Sequence, residues 1–151
     1  MNTPARNKTL LIVEDEVLPA MALQAELEDA GYRVLDLTAR SQEALAAARG
    51  CKPHLALVNI QLAGGDDGIA LAHELQAMGI PVLFISGQSG RAQGAHTAAI
   101  GSLPKPYSVA DMVKAVDYLL ARLRGDTSLS PPPHLQVFEP VLGRVAPDAA
   151  A

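Results

Sequence analysis

Short, wholly apolar runs recur along the chain, with amphipathic segments between them. Leu10-Leu11-Ile12-Val13, Leu55-Ala56-Leu57-Val58 and Val82-Leu83-Phe84-Ile85 have no polar interruption and are bounded by polar or turn-forming residues. Runs this short and uniform read as strands buried on both faces, the signature of a parallel sheet. Val34-Leu35-Asp36-Leu37 and Ile100 to Leu103 read as a second and a fifth strand. Between these runs the period changes. Leu18 to Ala30 carries Leu23 and Leu27 one helical turn apart, with Gly31 placed to stop it. Ser41 is positioned to cap an alanine-rich helix that runs to Gly50. Gly68 to Met78 repeats Ile69, Ala72, Leu75 and Met78 at helical spacing before Gly79. Gly90 to Ala99 is a helix weakened by Gly90 and Gly94, each costing about 1 kcal/mol against alanine. Val109 to Arg124 carries Met112, Val113, Val116, Leu119, Leu120 and Leu123 along one stripe and ends near Gly125. Five strands thus alternate with five helices, which predicts an α/β fold built from βαβ units.

In an open sheet of this kind, sites form at the carboxyl ends of the strands. The first run ends in Glu14-Asp15-Glu16, the third in Asn59 and the fourth in Ser86-Gly87. Acid, amide and hydroxyl are therefore expected to meet at one edge.

Composition narrows the setting. The chain has 151 residues, enough for one domain with a single good core. Its formal charge of −4 gives no electrostatic case for nucleic acid binding. A single cysteine, Cys51, excludes an internal disulfide and a zinc set, and favours a reducing compartment. Residues 1–8 form a short polar extension without an apolar core, and no run is long enough to span a bilayer, so a cytoplasmic location is expected. His54, His73, His96 and His134 are scattered without metal-ligand spacing.

The tail, residues 126–151, is a different kind of sequence. It is rich in proline and alanine, with Pro131-Pro132-Pro133 ahead of Leu135, Val137, Phe138, Val141 and Leu142. Its composition reads as disorder. Its apolar cluster offers a contact with its own domain, with a second copy or with a partner.

Four blocks together carry a resemblance. Leu11-Ile12-Val13-Glu14-Asp15, Leu57-Val58-Asn59-Ile60-Gln61-Leu62 with Gly68, Pro81 to Gly87, and Leu103-Pro104-Lys105-Pro106 stand in order, each at the end of an expected strand. The chain resembles the receiver domain of two-component response regulators over residues 9–125. That resemblance implies a doubly wound, flavodoxin-like sheet of five parallel strands in the order 2-1-3-4-5. It implies Mg²⁺-dependent phosphoryl transfer from a sensor histidine kinase or phosphotransfer protein to an aspartate, and a surface change read by partners. By the same resemblance, Glu14, Asp15 and the backbone carbonyl of Gln61 join the acceptor position, Asn59, around Mg²⁺. Ser86 would bond a phosphoryl oxygen, Lys105 would pair with the acceptor, and the Lys105–Pro106 peptide would be cis.

Two residues depart from the family pattern. Asn59 replaces the nucleophilic carboxylate with a neutral, weakly basic amide, so phosphorylation there is not expected and Mg²⁺ binding should weaken. It is either a natural divergence or an introduced substitution. Ser102 stands three positions before Lys105, where the family carries a switching tyrosine or phenylalanine. The leading expectation is a non-enzymatic, single-domain response regulator acting through protein contacts. An interaction module with a vestigial acidic site, dimerising through the last helix and tail, is the alternative. A Mg²⁺-dependent phosphohydrolase using Asp15 is disfavoured, because haloacid dehalogenase-like enzymes carry a second aspartate where this chain has Val17.

Overall fold

The apolar runs form the middle of one sheet, because their side chains alternate between two hydrophobic layers. A computed structural model describes residues 7–87 and 96–145. In it, β1 (Thr9–Val13), β3 (Leu55–Asn59) and β4 (Val82–Ser86) are buried along their whole length. Leu10 and Ile12 face one layer with Leu55, Leu57, Leu83 and Ile85. Leu11 and Val13 face the other with Ala56, Val58 and Phe84. Strand geometry turns successive side chains to opposite faces, so an uninterrupted apolar run needs a helix layer on each side.

Helices α1 (Val17–Asp29) and α4 (Val109–Leu123) cover the first face, bringing Leu23, Leu27, Met112, Val116 and Leu119 into its core. Helices α2 (Ser41–Gly50) and α3 (Gly68–Ala77) cover the second through Ala44, Ala48, Leu71, Ala72 and Leu75. The expected helix over Gly90 to Ala99 falls largely on residues 88–95, outside the described residues. Among the described residues no helix is long and apolar enough to cross a membrane.

The sheet order is β2-β1-β3-β4-β5-β6, with β2 at Arg33–Val34, β5 at Gly101–Pro104 and β6 at Gln136–Val137. Its first five strands are parallel, in the expected order 2-1-3-4-5. The second is shorter than expected. Beyond Val34 the Leu35 N–H still donates to the Leu10 carbonyl at 3.0 Å, and the chain then rejoins β1 at a bridge between Thr38 and Val13, where the Thr38 hydroxyl donates to the Ile12 carbonyl at 2.8 Å. A further local expectation changes: Ser41 does not cap α2. Its own N–H donates instead to Asp66 Oδ2 at 2.9 Å, so the cap comes from the loop after β3.

The tail, whose composition reads as disorder, makes the first of the contacts its apolar cluster offers, with its own domain. Through Val145 it is ordered on its own domain, and it adds a sixth strand to the expected five. Strand β6 runs antiparallel to β5, pairing Gly101 with Val137 and Ser102 with Gln136. Helix α5 (Glu139–Val145) follows. Phe138 enters the second core, while Val141 and Leu142 enter the first, so the tail straddles the β5 edge. Burying each such side chain stabilises by about 1.5–3 kcal/mol. This local apolar cluster outweighs the disorder suggested by the surrounding proline and alanine. Among the described residues these three side chains are used inside the protomer.

Candidate functional site

Three parallel strands end side by side, and their last residues converge. Asn59 closes β3, between β1, which leads into Glu14 and Asp15, and β4, which ends at Ser86. Gly68 holds the loop after β3 down upon that end: its N–H donates to the Ile60 carbonyl at 2.7 Å. A Cβ at Gly68 would stand 2.2 Å from the Asn59 carbonyl oxygen, so only glycine allows α3 to begin so close.

Lys105 reaches the same edge from the end of β5. Its backbone N–H donates to the Ser86 carbonyl at 2.8 Å, and the Lys105–Pro106 peptide is cis, as the resemblance implies. Asp15, Asn59, Gln61, Ser86 and Lys105 line one cleft of about 420 Å³. Glu14 is buried directly behind them. Thus all six residues singled out from the sequence meet at one place.

The polar geometry within the cleft is specific. Asn59 Nδ2 lies 2.6 Å from the Gln61 carbonyl oxygen, 3.2 Å from Asp15 Oδ1 and 3.3 Å from Glu14 Oε2. Its two hydrogens are therefore shared among the three oxygens that the resemblance assigns to Mg²⁺. Lys105 Nζ is 3.3 Å from Glu14 Oε1 and 3.6 Å from Glu16 Oε1. The Glu14 contact is an ion pair without hydrogen-bond geometry, since Glu14 Oε1 has no hydrogen-bond partner and is buried. Burial raises the Glu14 carboxyl above its ordinary range, opposed by the Glu16 N–H, which donates to Oε2 at 3.1 Å, and by Lys105.

Sequence reasoning missed Glu16 and Tyr107. Glu16 touches Lys105 and its backbone orients Glu14; its signal was the third acid of the Glu14-Asp15-Glu16 run. Tyr107 sits beside the cleft with its hydroxyl pushed up to about 12, first by burial and then by the charge of Glu14. The histidines stay apart from this site: His54 Nδ1 accepts from Thr9 N–H, and His96 packs edge-on against Phe138. Asp67 caps α3 by accepting from Ile69 N–H at 2.9 Å.

A divalent cation at this edge would need acceptor oxygens around it. The point where the three oxygens converge is filled by an N–H donor, so the residues as arranged do not fit Mg²⁺. Among the described residues no group of three or more histidine, cysteine, aspartate or glutamate side chains is placed to hold a metal. A carboxamide at the acceptor position also lacks the anionic oxygen that nucleophilic attack on phosphorus requires.

Comparison with known proteins gives a consistent answer. The family model of the response regulator receiver domain matches residues 10–117. The transcriptional regulatory protein PdtaR of Mycobacterium tuberculosis is 30% identical over 126 residues, covering 81% of this chain and 61% of that protein. The phyllosphere-induced regulator PhyR of Methylorubrum extorquens is 32% identical over 114 residues, covering 74% of this chain and 43% of that one. The chain thus spans less than two thirds of the length of these relatives. A putative response regulator from Chloroflexus aurantiacus has a similar structure, with a TM-score of 0.68 at 29% identity, covering 76% of this chain and 98% of that chain. The receiver domain of NtrX from Brucella abortus also gives 0.68 at 29% identity, covering 74% and 97%. With its strand order, its cleft and these matches in agreement, the chain belongs to the response regulator receiver domain family.

Proposed function

We propose that this chain is a response regulator receiver that is not phosphorylated at position 59, has no catalytic activity of its own, and signals by binding a sensor histidine kinase or phosphotransfer protein. The observation that carries the docking reading is the start of α1. Val17, Leu18 and Met21 are 66%, 77% and 52% exposed, an unusual concentration of large apolar side chains on one helix end. Beside them, Pro19 and Ala22 of α1 face Pro106, Tyr107 and Val109 across a largely apolar groove of about 480 Å³. An amphipathic helix fits such a groove through apolar residues at helical spacing.

The groove adjoins the polar cleft through Glu16 and Lys105, which line both. A helical partner seated on α1 therefore lies next to position 59 although no phosphoryl transfer to it follows. Phe138, Val141 and Leu142 are buried within the protomer, whereas the apolar side chains at the start of α1 stand open to a partner. Docking is therefore assigned to α1.

Two measurements test this reading. Incubation with acetyl phosphate and Mg²⁺ should leave the intact mass unchanged, and a single phosphoryl adduct mapping to the cleft would refute it. Leu18→Glu should weaken binding to the cognate kinase at least tenfold while leaving the circular dichroism spectrum unaltered. Unchanged affinity would remove α1 as the docking surface.

A further inference from the structure

We infer that the Asn59 carboxamide is a built-in occupant of the point where a divalent cation would otherwise be held, so that the site is assembled without one. Two carboxylates, Glu14 and Asp15, and the Gln61 carbonyl converge on one small volume from the end of β1 and the loop after β3. Oxygens brought together in this way repel unless a cation or hydrogen-bond donors stand between them. The Asn59 NH₂ group stands there, 2.6 to 3.3 Å from all three.

Replacing a carboxylate with a carboxamide does two things at once. It removes one negative charge, and it introduces N–H donors aimed at the remaining oxygens. Lys105 holds Glu14 from its other side, so Glu14 is tied at both carboxylate oxygens without a metal. A cation entering this volume would have to displace an NH₂ group whose two hydrogens are shared among three acceptors. Cation binding is thus blocked by an occupant, in addition to being weakened by a missing ligand.

That distinction sets the test, which uses the full chain, EDTA, and Mg²⁺ or Mn²⁺ as the probe. Melting temperature and calorimetric heat of cation addition are followed for wild type, Asn59→Ala and Asn59→Asp. Wild type should show neither a shift in melting temperature nor a heat at millimolar Mg²⁺. In EDTA, Asn59→Ala should melt lower by roughly 3–8 °C, because its buried carboxylates lose their donors. Millimolar Mg²⁺ should then restore part of that loss, because the point has been vacated. Asn59→Asp should be destabilised in EDTA and recover more fully, which keeps the test open if the alanine variant does not fold.

A wild-type melting temperature that climbs with Mg²⁺ would overturn the inference. So would an alanine variant as stable as wild type in EDTA, or one still indifferent to Mg²⁺, since the missing carboxylate alone would then keep cations out. The measurement involves no kinase, so its failure leaves the docking proposal standing.

Discussion

Gly101 of β5 lies so close to Gln136 of β6 that a Cβ on it would stand 2.7 Å from the Gln136 carbonyl oxygen. The missing side chain is what lets the tail lie against the sheet edge. Gly101→Val should therefore lift β6 and loosen residues that follow it. The expected cost is about 1–3 kcal/mol, as for overpacking elsewhere. The most direct reporter is the amide of Phe138, which donates to the Ile100 carbonyl at 2.9 Å and should lose protection from hydrogen exchange. Truncation after Gly125 should abolish most of the penalty in a double-mutant cycle. An equal penalty in the truncated chain would show that Gly101 serves the β4–β5 pairing instead.

Arg122 of α4 grips the tail through two parallel contacts with Glu139, at 2.6 and 3.1 Å. The guanidinium holds the Glu139 carboxyl below its ordinary range. A carboxyl depressed in the folded state binds fewer protons there than in the unfolded chain. Its stabilisation is therefore complete above the unfolded value of about 4.3 and is lost as pH falls through the lower, folded value. Glu139 is largely exposed, so solvent screening limits the pair to about 1 kcal/mol or less. Carboxyl resonances of Glu139 followed by NMR should titrate below the usual range, and Arg122→Gln should return them to it. A Glu139 that titrates normally in wild type would show that the grip does not persist in solution.

The parts of this molecule that were readable in advance are those where one residue type admits few environments. Leu10 to Val13, Leu55 to Val58 and Val82 to Ile85 were identifiable because a run without polar atoms must be covered on both faces. The cleft was readable because Glu14, Asp15, Asn59, Ser86 and Lys105 stand at the ends of those runs, where topology leaves them little choice. What escaped was contact between distant segments. Nothing near Ser41 announces that Asp66 will cap its helix, and nothing near Phe138 announces that Gly101 leaves room for it. The orientation of the Asn59 amide escaped in part for the same reason, because two of its three acceptors, Glu14 and Asp15, come from the distant end of β1.

Asp66 offers a simple check of one such contact. Ser41 N–H donates to Asp66 Oδ2 at 2.9 Å, and Arg40 Nε lies 3.6 Å from the same oxygen. Asp66→Ala should remove the cap of a helix to which it is not adjacent, at about 0.5–2 kcal/mol. Asp66→Asn retains an acceptor oxygen and should lose less. Chemical denaturation should show a lower midpoint with an unchanged slope in both. Equal stability of the alanine variant and wild type would mean that solvent caps α2 as effectively.

Ser102 is the residue at which the family carries an aromatic switch, and here it is 3% exposed beneath the tail. It is a register partner of Phe84 on one side and of Gln136 on the other. Register partners in adjacent strands present their side chains to the same face, and Phe84 shares its core with Phe138. The tail thus brings an aromatic ring to the face where the family places one from β5. Ser102→Tyr should set the two in competition, costing about 1–3 kcal/mol through overpacking and raising the exchange rate of the Phe138 amide. Truncation after Gly125 should recover part of that cost. A tyrosine variant as stable as wild type, with Phe138 still protected, would show that the two rings do not contend for the same space.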